Sequence, residues 1–154
     1  MFCHPCRNFR GQLDQSLLES LLRAGFHAQI ACEAPTEALK NLIITIVGDE
    51  YAHVRIQSSL LGVCPPPITC PPDCPGASGD FVCDVERAIA GELDSIARFA
   101  HLASCAPSGE VRALMLSMLG DEYAHARIWS AMLLAPSLLD DCCDCCDCCD
   151  CGDA

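Results

Sequence analysis

Two copies of a Glu-x-x-His motif stand 72 residues apart in this chain, Glu50-Tyr-Ala-His53 and Glu122-Tyr-Ala-His125. On a helix, residues three apart share a face, so each copy offers a carboxylate and an imidazole to a single cation. Both copies sit inside the longer string Gly-Asp-Glu-Tyr-Ala-His-x-Arg-Ile, and the match extends over residues 34–61 and 106–133. The chain is internally duplicated. Further upstream, Glu19 and Phe26 answer to Glu92 and Phe99 if one residue is inserted before the first turn. Carboxylates gathered in an apolar core repel one another and lose hydration, so such a set calls for divalent cations or protons.

The elements that must position these groups are helical. Leu39, Ile43, Ile46, Glu50, His53, Gln57 and Leu60 fall at alternating spacings of four and three, as do Val111, Met115, Met118, Glu122, His125, Trp129 and Met132. Glu19, Leu22, Phe26 and Ile30 give a third stripe, and Ile89, Glu92, Ile96, Phe99 and Ala103 a fourth. Thr36, Asp80 and Ser108 stand where N-caps belong, and Gly62 where a helix should close. Between the two hairpins, residues 62–79 carry Pro65-Pro66-Pro67, Pro71-Pro72 and Pro75. In a polyproline conformation this stretch reaches roughly 55 Å, against about 37 Å for a 25-residue helix. A lengthwise crossover is predicted. Glu19 and Glu50 are nearly equidistant from the turn at Pro35, and Glu92 and Glu122 from the turn at Pro107. All four carboxylates therefore fall at one height in an all-α four-helix bundle.

With Glu19, Glu50-Tyr-Ala-His53, Glu92 and Glu122-Tyr-Ala-His125, residues 12–135 resemble the ferritin-like superfamily of dinuclear carboxylate proteins, nearest in layout to rubrerythrin-type diiron domains. The resemblance implies two iron ions, bridged by Glu50 and Glu122, with Glu19, Glu92, His53 and His125 as terminal ligands. A dimanganese catalase would use a nearly identical set, so manganese stands beside iron. The activity implied is oxidation–reduction on peroxide or dioxygen, as a peroxidase or a ferroxidase, with an electron donor that the sequence does not name. Rubrerythrins often carry a rubredoxin domain, and the sequence has none of its paired cysteine knuckles. Two further readings are non-catalytic binding of iron or thiophilic metals, and a structural, thiol-rich coat-type protein.

Asp49 and Asp121 precede the two motif glutamates and are candidate hydrogen-bond partners of the histidines, across the pair, or else solvated acids. Tyr51 and Tyr123 repeat beside the ligands, for packing, hydrogen bonding or electron relay. Glu86 is a candidate extra ligand, and His27 and His101 read as surface or core residues.

Two thiol-rich segments flank the bundle: residues 1–11, with Cys3-His-Pro-Cys6, and the low-complexity tail 136–154, with Cys142, Cys143, Cys145, Cys146, Cys148, Cys149 and Cys151. Soft thiolates suit zinc, copper or iron–sulfur chemistry, and Cys3, Cys6, Cys64 and Cys70 are candidates for a small site. Cys32 and Cys105 read as small buried residues. Nine Lys and Arg against 21 Asp and Glu give a net charge of −12, which argues against nucleic acid and anionic membranes as partners. A second copy of the chain is a candidate partner. No apolar run approaches the roughly 18 residues of a membrane span, and the N-terminus lacks the pattern of a secretory signal, so the expected compartment is the cytoplasm.

Overall fold

The computed structural model describes residues 8–67 and 76–135, which form four helices of 25 residues each: α1 (Phe9–Glu33), α2 (Glu37–Leu61), α3 (Phe81–Cys105) and α4 (Gly109–Leu133). No strand occurs among the described residues. This is the expected all-α bundle in a ferritin-like arrangement, with α1 starting a little upstream of residue 12.

Each helix starts where a side chain satisfies an N–H that has no partner within the helix. Asn8, Thr36, Asp80 and Ser108 accept from the backbone of Gly11, Leu39, Cys83 and Val111 at 3.1–3.2 Å. Helix α2 stops at Gly62, whose φ of 72° is left-handed; the N–H groups of Gly62 and Val63 turn back onto the carbonyls of Ser59 and Ser58.

Helices α1 and α2 pack as one hairpin and α3 and α4 as another. The hairpins join with α1 antiparallel to α3: Gln12 meets His101 at 3.2 Å at one end, and the Arg87 guanidinium lies 4.7 Å from the centre of the Phe26 ring at the other. Arg10 reaches the Leu61 carbonyl at 2.8 Å, so α2 ends beside the start of α1, whereas α3 starts beside the end of α1. The connection must therefore run the length of the bundle. Its described parts do so, with the Tyr51 hydroxyl bonded to the Pro66 carbonyl at 3.3 Å and the Ala77 N–H to Gln29 at 2.8 Å.

Two apolar clusters form the core. Ile30, Leu39, Ile43, Ile46, Val85, Trp129 and Met132 fill the end at the α1–α2 turn, and Leu13, Leu61, Phe99, Leu102, Met115 and Met118 fill the other. Burying such side chains contributes about 1.5–3 kcal/mol apiece, and these clusters fix the helices around a polar middle layer.

The duplication is in register throughout. The helices of the second hairpin begin and end 72 residues after those of the first, so the one-residue insertion expected before the first turn is absent. On α1 the buried face runs through Leu13, Ser16, Ser20, Ala24, His27, Ile30 and Ala31, and on α3 Val85, Ala88, Glu92, Phe99, Leu102 and Ala103 are its counterparts. Ser20, rather than Glu19, therefore holds the place of Glu92.

No helix among the described residues is long and apolar enough to cross a membrane. Cys64 and Cys83 are exposed free thiols, as is Cys32, which the sequence had suggested would be buried. Cys105 is buried and held in a disulfide. Cys3, Cys6, Cys70 and the seven tail cysteines from Cys142 to Cys151 lie outside the described residues.

Candidate metal centre

The layer between the two apolar clusters is built from charged and polar side chains of all four helices. Glu50, Glu92, Glu122 and His125 are buried there and present one donor atom each within 4.8 Å of one another. His53 completes the group: its Nδ1 lies 3.3 Å from Glu122 and 3.8 Å from Glu50, while Nδ1 of His125 lies 3.6 Å from Glu122 and 4.0 Å from Glu92. Both imidazoles thus aim Nδ1 inward. Their Nε2 atoms point out to aspartates across the helix pair, His53 to Asp121 at 3.1 Å and His125 to Asp49 at 3.3 Å. An Nε2–H given to a carboxylate leaves the Nδ1 lone pair free for a cation.

These residues fit a metal. Both oxygens of Glu50 and of Glu122, one oxygen of Glu92 and Nδ1 of His53 and His125 are buried with no hydrogen-bond partner. Buried polar atoms are rarely left that way, because each would lose its hydration for nothing in return. Oxygen and nitrogen donors bind divalent ions at about 2.0–2.2 Å, so donors on opposite sides of one ion stand about 4 Å apart, which is the spacing seen here.

Without an ion, protons and one guanidinium balance the charge. Burial, the neighbouring Glu122 and the charge of Glu50 push Glu92 up to about 11, so it is a neutral acid at neutral pH. Glu122 goes the other way: burial would raise it, but His125, His53 and Glu92 at its side hold it well below the usual carboxylate range. Burial also opposes charge on His53, yet Glu122 and Glu50 outweigh it and raise the imidazole to about 10. His125 is raised by Glu122 and Asp49 against the same opposition.

Arg23 is the group that the sequence reading passed over. Its side chain is 9% exposed, with Nη1 3.7 Å from Glu50 and 3.9 Å from Glu122, and it donates to Ser95 Oγ. Burial would lower its pKa, but the charges of Glu50, Glu122, Glu92 and Glu19 outweigh that and hold it above the ordinary value. Glu19 is not brought into the cluster. It faces the outside of the α1–α3 seam, where Arg98 binds it at 2.5 Å and Gln15 at 2.9 Å. A step of one residue turns a side chain by about 100° around a helix, which separates Glu19 from the inward Ser20.

The hydrogen bonds repeat the register. Trp129 donates to Glu92 at 3.0 Å, and Gln57, its counterpart 72 residues earlier, donates to Ser20 at 3.1 Å. His27 is buried against Trp129, ring centres 5.0 Å apart, with Nε2 3.7 Å from the same Glu92 oxygen, and burial, then Arg23 and His125, keep it neutral. Of the remaining candidates, the Tyr51 hydroxyl serves the crossover, Tyr123 is exposed, and Glu86 is exposed and apart from the cluster. No cysteine joins a metal-competent group among the described residues.

Fold and site together define a four-helix bundle with a buried carboxylate and imidazole cluster of the kind that ferritin-like dimetal proteins use. The chain matches no family model, no curated protein and no solved structure.

Proposed function

We propose that the protein is a dinuclear metal oxidoreductase acting on peroxide or dioxygen, with iron at the centre as in rubrerythrin-type and ferroxidase bundles. The observation that carries this is the buried set Glu50, Glu92, Glu122 and His125, most of whose inward atoms lack a hydrogen-bond partner. A redox-active metal there would supply the electrons for reducing an O–O bond; each peroxide taken to two waters consumes two electrons and two protons. The chain's own part is to hold Glu50 and Glu122 where both can serve two ions, with His53 and His125 fixed from behind by Asp121 and Asp49. The two apolar clusters keep bulk water from the layer, and Glu92 can give up its proton when a cation arrives. Among the described residues no activated serine or cysteine stands in the layer, which favours electron transfer over hydrolysis.

Anaerobic loading with ferrous iron, followed by rapid mixing with peroxide or dioxygen, tests the reading. An absorbance change from ferrous to ferric iron that vanishes in Glu50→Ala/Glu122→Ala is expected. A loaded wild-type protein that stays ferrous with both oxidants would leave a metal-binding protein without this activity.

A further inference from the structure

The two halves of the centre are unequal. On the α3 side Glu92 reaches the cluster, while its counterpart on α1 is Ser20, engaged by Gln57. Arg23, one turn on, sends its guanidinium to Glu50 and Glu122, on the side of the layer where Ser20 leaves a carboxylate missing. We infer that Arg23 is the resident counter-cation of the second metal position, so that the centre loads in two unequal steps and takes its second ion only when Arg23 swings out. This rests on the metal-binding reading above and specifies how the site is regulated.

Charge sets the order. Glu50, Glu92 and Glu122 in ionised form carry three negative charges, and Arg23 offsets one. The remaining two are matched by a single divalent ion, held by Glu92, Glu122 and His125 with Glu50 alongside. A second divalent ion, at Glu50, Glu122 and His53, must compete with a guanidinium already facing the same two carboxylates. The guanidinium faces one oxygen of Glu50 and one of Glu122, which the second ion needs as donors, so Arg23 must give up that position before the ion takes it.

The structure also offers Arg23 a place to go. A cavity of about 350 Å³ opens between α1 and α3, and Arg23 lines it together with the acids Glu19 and Asp94 and the guanidinium groups of Arg87 and Arg98. In the inferred movement the guanidinium passes from the carboxylates of the layer to the cavity that Glu19 and Asp94 line. Ser95 loses a donor in that movement, and Glu19 and Asp94 gain a cation beside Arg98.

Manganese(II) titration of the full chain, followed by electron paramagnetic resonance with helicity monitored alongside, tests this. In the wild type the first equivalent should give the hyperfine pattern of an isolated ion, and an exchange-coupled pair should form only with excess metal, with the second dissociation constant about tenfold or more above the first. In Arg23→Met the gap should narrow by about tenfold, so that coupled pairs form from the first equivalent. Arg23→Lys, which keeps the charge, should retain stepwise loading. Coupled pairs in the wild type below one equivalent would overturn the inference while leaving the metal centre intact, and so would an unchanged gap in a folded Arg23→Met. If Arg23→Met fails to fold, the wild-type titration and Arg23→Lys decide by the same criteria. A wild type that binds no manganese and no iron would overturn the proposed function, and this inference with it.

Discussion

Glu92 and His53 hold protons that a metal would have to displace, and that gives the centre a definite pH dependence. Glu92 is raised from 4.5 to about 11 in the fold, so between those values the native protein keeps a proton that the unfolded chain releases. Its contribution to stability is complete below about pH 4.5 and drains away as the pH rises toward 11. His53, raised from 6.5 to about 10, acts in the same direction, its share being present below 6.5 and lost as the pH passes 10. Glu122 and His27 are both depressed and oppose them only on the acid side, where stability falls as the pH drops below their unfolded values. The metal-free bundle should therefore be most stable in mildly acidic solution and weaken from there to alkaline pH. A bound cation takes over from those protons, so the rise in melting temperature on adding manganese should be larger at pH 8 than at pH 6. Thermal unfolding followed by circular dichroism at both values, with and without metal, checks this; a rise independent of pH would count against proton displacement at Glu92 and His53.

At the scale of the helices, what decides the site is azimuth. The height of Glu19 was legible in the sequence, because distance from a turn fixes height in an antiparallel hairpin. Its face was not. The inward face of α1 carries Ser16, Ser20 and His27, which do not register as an apolar stripe, whereas Leu22 and Phe26 at the edge of that face do. Periodicity followed the larger apolar side chains and pulled Glu19 inward with them, at the cost of an insertion that the structure does not contain. Helices α2 and α4 posed no such problem, since their apolar residues and their Glu-x-x-His motifs share one face. The N-caps at Thr36, Asp80 and Ser108 and the stop at Gly62 were equally plain, because capping depends on local chemistry. Arg23 and His27 left no signal beyond their position four and eight residues after Glu19. One comparison separates the two registers: Glu19→Gln should leave manganese affinity within about twofold of wild type, and Glu92→Gln should weaken it by tenfold or more, roughly the cost of removing a ligand or its support. Isothermal titration of both variants reads this directly, and equal losses would restore Glu19 to the centre.

Taken whole, the molecule is two apolar cores with a charged layer between them, and one side chain belongs to both. Trp129 packs among Ile30, Ile43, Val85 and Met132, and its indole N–H is bonded to Glu92. It is also the single tryptophan of the chain. Light emitted by the protein on excitation of its indole therefore comes from one place, a dry apolar cluster in contact with a candidate ligand. Emission from the folded chain should lie well to the blue of that from the unfolded chain, and manganese or cobalt entering the layer should quench it before the secondary structure changes. Substituting Glu92 should remove the quenching without moving the emission maximum far, because the apolar neighbours remain. A titration in which the metal binds and Trp129 stays equally bright would place the ion elsewhere. The same indole thus makes the protein its own optical gauge, with colour reporting the state of the core and intensity the arrival of the cation.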